Sequence, residues 1–288
     1  MKTPFPAHIS IIAADFGRSL PSYQAAGIVA PVSMANYPEA EAFIDEIFSF
    51  SYTIYRQIAE GRHEDFHQGA IFLPAFFPHR EESRMECYVK RGVMGPAKDV
   101  WLDFGTGTRR RMVAYDDAIM VGAVDGGQRS VGIMDVLRNW LQSTGRVHFI
   151  ERHLTDLTSP PTKFIFNCTG LGARELCQDE RLVSVQGHLL LLRDQCPEEM
   201  QYMLFSGMTD DRTACGVKCQ TELYQMPKYF PETGEMGIVG GTFIANCGWG
   251  EPNEEQFECA LRRARDFYGL EGGCDKGLED SRNGVSKL

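Results

Sequence analysis

Three segments of the chain repeat apolar residues every three or four positions, which predicts amphipathic helices. They cover residues 39–59, 131–144 and 253–268. Pro38 suits the first turn of the first helix and Gly145 follows the second. Asn253 and Gln256 have the spacing of a capping box at the start of the third, and Gly269 ends it. We expect the apolar face of each helix to lie in the protein core.

Shorter apolar runs predict strands. Two of them are residues 8–14 and 147–150, and the second comes just after the predicted helix at residues 131–144. Residues 70–90 and 100–125 are rich in strand-forming residues between charged ones. Four more predicted strands follow in the C-terminal half, at residues 189–192, 202–205, 223–226 and 237–243.

Residues 162–176 predict a buried strand, a tight glycine turn and the start of a helix. Phe164, Ile165 and Phe166 form the continuous apolar run of a strand covered on both faces. Thr169 is expected to cap the helix, and Gly170 permits the sharp turn. Such a junction points free N–H groups at a phosphate-bearing cofactor in many proteins. A turn without any ligand explains this stretch equally well.

Composition indicates a soluble globular protein of one large or two modest domains. The chain has 288 residues, of which 43% are hydrophobic and 24% are charged. Its net charge of −10 argues against nucleic acid or an anionic membrane as the main partner. We see neither a secretory signal nor an apolar run long enough to cross a membrane. Nine scattered cysteines, an odd number, favour reduced thiols in an intracellular protein.

One motif matches a catalytic signature literally. His63, Glu64 and His67 spell His-Glu-x-x-His, which binds zinc when it lies on a helix. Gly61 and Gly69 leave too little room for a stable helix between them. The context therefore favours a polar surface loop over a zinc hydrolase.

Other motifs carry a family resemblance. The sequence Asn-Cys-Thr-Gly at residues 167–170 follows the apolar run, Leu-Gly-Ala comes next, and Gln-Gly-His-Leu stands at residues 186–189. This pattern resembles the D-amino-acid oxidase family of FAD-dependent enzymes, with His188 where the family has glutamine. The resemblance covers most of the chain, from Ile9 to Tyr268.

The resemblance implies an α/β (α+β) fold in two interleaved parts. A Rossmann-like FAD-binding part would comprise residues 1–31 and 131–185. A mainly antiparallel substrate-binding sheet would comprise residues 32–130 and 186–288.

The resemblance also assigns site residues. Those expected to bind FAD are Ala14, Asp15, Ser22, Ala25, Ala26, Gly27, Ile28, Leu154, Thr169 and Gly170. Small residues make physical sense in the segment that passes the flavin, because a bulky side chain would hold the backbone away. Asp15 alone is explained equally well as a turn-forming residue before Gly17.

Two tyrosines and an arginine are expected on the substrate side. Tyr229 matches the family's catalytic tyrosine, and Tyr224 and Arg282 would bind the substrate. The implied reaction oxidises a D-amino acid to an imino acid and then a 2-oxo acid. Oxygen reoxidises the flavin and hydrogen peroxide is released.

The chain also lacks three segments of the family pattern. The initial Gly-x-Gly-x-x-Gly turn, the Gly-x-Arg-Pro turn and the final glycine-rich segment are not found, and Arg282 lacks the expected neighbours. The alternative is therefore a truncated, inactive relative that binds FAD weakly or not at all. Ser286, Lys287 and Leu288 spell a peroxisomal address, which predicts binding to the peroxisomal import receptor. A fortuitous ending would leave the protein in the cytoplasm.

Overall fold

The structure is a computed structural model of the chain. It describes residues 8–31, 38–79, 83–122, 131–158, 160, 162–212, 218–247 and 253–270. Arg282 and the Ser286-Lys287-Leu288 ending lie outside these ranges.

The predicted helices are present, with three short helices besides. The helices of the described ranges are α1 (Pro21–Gln24), α2 (Pro38–Ala59), α3 (Glu86–Lys90), α4 (Ile133–Ser143), α5 (Ala173–Leu176) and α6 (Glu254–Tyr268). The Asn253 side chain accepts a hydrogen bond from the Gln256 N–H, and Gly269 closes α6 with a φ of 70°. Both ends of α6 were predicted from the sequence. None of these helices is long and apolar enough to cross a bilayer.

The strands of the same ranges extend several of the predicted ones. In chain order they are β1 (Ile9–Ala13), β2 (Gly27–Ile28), β3 (Ala70–Phe72), β4 (Ala75–Pro78), β5 (Lys98–Asp103), β6 (Arg109–Tyr115), β7 (Ile119–Val121), β8 (Val147–Glu151), β9 (Val185–Gln186), β10 (Leu189–Leu191), β11 (Met203–Arg212), β12 (Lys218–Phe230) and β13 (Glu235–Ala245).

One large sheet dominates the architecture. Its strand order is β10-β13-β12-β11-β4-β6-β5, with β9 added on β13. Every pair in it is antiparallel except β11 with β4. A small antiparallel sheet, β2-β7-β3, and a parallel pair, β1-β8, complete the fold. The predicted mixed α/β class with a mainly antiparallel sheet is confirmed.

The hydrophobic core lies between α2, the small sheet and the large sheet. Tyr52 of α2 and Tyr88 of α3 are both 0% exposed, and their ring centroids lie 4.7 Å apart. The Tyr52 hydroxyl donates a hydrogen bond to the Asp117 carbonyl oxygen at 2.7 Å. The Tyr88 hydroxyl is buried with no hydrogen-bond partner in the described ranges.

The parallel pair β1-β8 is much less covered. Ile9 pairs with Val147 and Ala13 with Glu151, and both Ile9 and Ile150 are largely exposed for apolar residues. Helix α4 packs beside this pair, yet none of its side chains is fully buried. The stripe predicted to be buried on α4 is therefore only half covered, because a sheet of two strands is too narrow to cover it.

The predicted strand at residues 164–166 is wrong. These residues form no strand, and the side chains of Phe164 and Phe166 are 81% and 90% exposed. An apolar run becomes a buried strand only where other strands supply hydrogen bonds and cover. No strand in the described part of the chain pairs with residues 164–166.

The turn that follows also differs from the prediction. Thr169 does not cap a helix, and its hydroxyl instead donates a hydrogen bond to the Asn167 side-chain oxygen at 2.7 Å. Gly170 does adopt a positive φ, 57°, at the start of a single 3₁₀ turn. This turn leads into α5, which has only one turn of its own.

The two buried tyrosines provide a matched test of the core. We expect Tyr52→Phe to lower the free energy of unfolding by about 1 kcal/mol, because the Asp117 carbonyl loses its donor. Tyr88→Phe should leave it unchanged or raise it, because the hydroxyl that is removed has no described partner. Urea unfolding followed by circular dichroism measures both. Equal losses in the two variants would contradict the hydrogen-bond assignment.

Candidate functional site

A cavity of about 150 Å³ lies where three parts of the fold meet. The α1 segment, residues 22–27, forms one side. The start of α4, residues 132–135, and the end of β7 with Gly122 form the second. The end of β12 and the turn after it, residues 228–232, form the third, and Arg18 also borders the cavity.

The cavity brings together residues that the sequence placed on opposite sides of the reaction. Ser22, Ala25, Ala26 and Gly27, expected to face the flavin, border it together with Tyr229, expected to face the substrate. Ile28 does not border the cavity, and its side chain packs against the hydrophobic core instead.

Gly27 has a reason to be glycine that does not involve a cofactor. It pairs with Val121 of β7, and a Cβ atom on Gly27 would lie 2.8 Å from the Val121 Cγ2. The stiff, β-branched valine cannot turn away easily. The small residue is therefore required by the packing of β2 on β7.

Ala14, Asp15 and Leu154 follow the carboxyl ends of β1 and β8 and do not border the cavity. Because β1 and β8 are parallel, their carboxyl ends coincide, and the Arg152 N–H donates to the Ala13 carbonyl oxygen at 2.8 Å. The Asp15 carboxylate accepts hydrogen bonds from the Gly17 N–H at 2.6 Å and from the Ser19 hydroxyl at 3.2 Å. Asp15 thus forms the turn that the sequence allowed, and adenosine binding at this edge stays a prediction.

Thr169 and Gly170 are exposed and do not border the cavity. A role for them in cofactor binding also stays a prediction.

Tyr224 lies apart from Tyr229. Its ring lies against the backbone of Gly240 and Gly241, and a Cβ atom on Gly241 would lie 3.0 Å from the Tyr224 hydroxyl. Tyr224 does not border the cavity. Burial, with a smaller effect of Glu222, raises the pKa of its phenol to about 12. The glycine pair therefore leaves room for this ring, and substrate binding by Tyr224 stays a prediction.

His188 occupies the place where the family resemblance has glutamine. Its ring is buried, with Nδ1 at 2.7 Å from the Thr242 hydroxyl oxygen and the Phe257 ring at its edge. Burial lowers the pKa of His188. The histidine connects β13 to α6 and does not border the cavity.

The His-Glu-x-x-His motif is not helical. It lies in the turn between α2 and β3, where the His63 Nδ1 accepts hydrogen bonds from the N–H groups of Asp65 and Phe66 at 3.2 Å. Across the described residues, no three His, Cys, Asp or Glu side chains are grouped to hold a metal.

Sequence analysis missed Lys228. Met226 pairs with Ile238 and Tyr229 with Met236, so Pro227 and Lys228 together face the single residue Gly237. This two-against-one arrangement is a β-bulge, which redirects side chains. A proline beside a lysine in a strand was the only signal available, because proline cannot donate to the ladder.

Lys228 is a buried cation at the cavity. It is 7% exposed, and its ammonium lies 5.9 Å from the Phe230 ring centroid. Burial lowers its pKa, Asp135 and Glu232 oppose that shift, and Arg18 adds to it. The Lys228 side chain forms no hydrogen bond or ion pair with a described residue.

Comparisons with known proteins establish the fold. No family model and no curated protein matches the sequence. Among solved structures, a glycine oxidase from Geobacillus kaustophilus is similar with a TM-score of 0.56 and 15% identity, over 89% of this chain and 70% of that one. A glycine oxidase from Bacillus cereus ATCC 14579 gives a TM-score of 0.52 and 13% identity, over 90% and 72%.

The chain has the fold of glycine oxidases. In this glycine-oxidase-like fold the large sheet supplies Lys228 and Tyr229, while α1 and the start of α4 close the cavity from the other side.

The contact between Gly27 and Val121 can be tested by compensation. We expect Gly27→Ala to cost about 1–3 kcal/mol of stability, because the new methyl group overlaps the valine. Val121→Ala creates space at that point, so the double variant should lose less than the sum of the two single losses. Thermal or urea unfolding of the four proteins measures this. Simple additivity would show that the two residues do not compete for space.

The buried ammonium should make stability depend on pH. Because the pKa of Lys228 is lower in the folded chain, the unfolded chain binds more protons between that pKa and the ordinary lysine value of 10.5. The contribution of Lys228 to the free energy of unfolding therefore rises with pH across that interval. We expect Lys228→Met to have a higher melting temperature than the wild type at neutral pH. This difference should shrink as the pH approaches the ordinary lysine value of 10.5.

Melting curves of both proteins across this pH range check the expectation. The charged groups that act on Lys228 are the carboxylates of Asp135 and Glu232 and the guanidinium of Arg18. If the difference in melting temperature between the two proteins does not change with pH, the pKa of Lys228 is not lowered in the folded chain.

Proposed function

We propose that the chain binds FAD and oxidises a small amino acid, most simply a D-amino acid. The supporting observation is the cavity in which the α1 segment meets the end of β12. The family resemblance places the flavin ring beside the first and the substrate beside the second. The glycine-oxidase-like fold agrees with amine oxidation as the general reaction.

Small residues border the cavity where we propose the flavin ring. They are Ala25, Ala26 and Gly27 from the α1 segment, together with Gly122 and Gly132. These residues would hold the ring, and the edge formed by Asp15 and Leu154 would hold the adenosine. When bound, FAD accepts a hydride from the substrate carbon.

The reaction balances without a further reagent. The substrate loses two electrons and two protons to become an imino acid, and oxygen receives them to become hydrogen peroxide. Water then converts the imino acid to a 2-oxo acid and ammonia. Tyr229, whose residue borders the cavity, would orient the substrate and help exclude water.

A second candidate is a protein with this fold that binds FAD weakly and has no activity. The observation that favours it is the exposure of Phe164 and Phe166, together with a parallel sheet of only two described strands. Thr169 also fails to cap a helix that could receive a phosphate. A cofactor bound against this half of the molecule would have few rigid contacts.

The absorption spectrum of the purified chain separates the two candidates. The protein is incubated with FAD, desalted and scanned between 300 and 550 nm, a range chosen to include the flavin bands. We expect retained flavin, bleached anaerobically by D-alanine or glycine and not by L-alanine. Oxygen should restore the colour with release of hydrogen peroxide.

Each outcome decides between the candidates. Retained flavin that bleaches supports the oxidase. A folded protein that keeps no flavin overturns it and leaves the weak-binding alternative. Retained flavin that no amino acid bleaches would overturn the substrate class while keeping the cofactor.

Import into peroxisomes through a receptor for the Ser-Lys-Leu ending remains a proposal from the sequence. A product that includes hydrogen peroxide would be consistent with that compartment.

A further inference from the structure

The ammonium of Lys228 is buried, and it forms no hydrogen bond or ion pair with the residues that the structure describes. Taking an isolated charge out of water costs free energy, which folded proteins normally recover through a hydrogen-bonded counter-ion. Here the side chain borders a cavity, and the Lys228 Nζ lies 3.9 Å from the position that a Cβ on Gly122 would occupy. A ligand in that cavity is a candidate counter-ion.

The nearby carboxylates are already engaged elsewhere. Arg18 contacts Asp135 at 3.1 Å and Glu232 at 3.7 Å, and its guanidinium lies over the Tyr23 ring at 5.4 Å. Arg18 is about half exposed, so this cluster stands at the solvent side of the cavity. Arg18 thus competes with Lys228 for both carboxylates, which act on the buried ammonium without a hydrogen bond to it.

The start of α4 adds to the positive potential. Its first turn borders the same cavity, and its N-cap residue, Gly132, has no side chain to accept the free N–H groups. The positive end of the helix dipole therefore acts in the same direction as the ammonium. Asp135 in that turn offsets part of this effect, and it is the carboxylate nearest to Arg18.

The bulge in β12 fixes where the charge lies. Pro227 and Lys228 oppose the single residue Gly237, so the lysine is held by a strand in the middle of the large sheet. Sites built on sheet strands are positioned more rigidly than sites on loops.

We propose that Lys228 binds the α-carboxylate of the substrate, the task that the family resemblance gave to Arg282. The identification of the ligand as an amino acid rests on the proposed function. The existence of a carboxylate site does not, because it can be measured without flavin. An ammonium binds as a point charge and does not orient a carboxylate as a guanidinium does. A second group must supply the orientation, and Tyr229 borders the same cavity.

The test is calorimetric titration of the full chain with two small probes in chloride-free buffer at neutral pH. Propionate has the carboxylate of an amino acid but no amine to oxidise. Propionamide has nearly the same shape without the charge. We expect propionate to bind and propionamide to bind at least tenfold more weakly.

Three variants assign the binding to Lys228. Lys228→Met should weaken propionate binding by about thirtyfold or more, while raising the melting temperature. Lys228→Arg should keep binding within about tenfold, because the charge is retained. Lys98→Met is the matched control, since Lys98 lies on β5 in an exposed pair with Asp116, away from the cavity, and should bind like the wild type.

The outcomes are separate from those of the flavin experiment. Equal binding of propionate by Lys228→Met and the wild type, equal binding of the two probes, or no binding of propionate by the wild type overturns the proposal. A chain that binds propionate through Lys228 but keeps no flavin overturns the oxidase and leaves the carboxylate site. A chain that keeps flavin but shows no dependence on Lys228 does the reverse.

Discussion

The pairing of β12 with β13 is the interaction on which the site depends. Two breaks in its register each place two residues of β12 opposite one of β13. The break before Tyr224 puts that ring over the Gly240-Gly241 backbone. The break before Tyr229 brings Lys228 to the cavity. Without the second break, every side chain beyond it would change face, because side chains alternate along a strand.

The two halves of the fold differ in how well they are buried. The large sheet, the small sheet and α2 share a continuous core with the Tyr52 and Tyr88 rings at its centre. The β1-β8 pair and α4 bury little, and Phe164 and Phe166 stand in solvent. The substrate side of the proposed site therefore lies on the well-buried part of the chain, and the cofactor side lies on the part that is more exposed.

The difference in burial between the two halves bears on the role proposed for Lys228. A buried charge without a hydrogen-bonded counter-ion destabilises a fold, so a residue of this kind is commonly retained for binding or catalysis. Lys228 lies on the well-packed sheet, whose buried contacts offset the free energy lost by burying the charge. It faces a cavity whose other walls, α1 and the start of α4, belong to the half that the family resemblance gives to FAD.

Local residue patterns are sufficient to predict the elements whose cause is local. The periodic helices α2, α4 and α6, the cap at Asn253 and the turn at Gly269 all follow from residues a few positions apart. The family resemblance, drawn from short motifs, also led to the fold found among glycine oxidases. Three other features depend on the tertiary structure, that is, on which strands lie alongside and in what register. They are the exposure of Phe164, the position of the Tyr224 ring over Gly240 and the burial of Lys228. Register is set by contacts between residues distant in the chain, and an apolar run looks the same in sequence whether or not another strand comes to cover it.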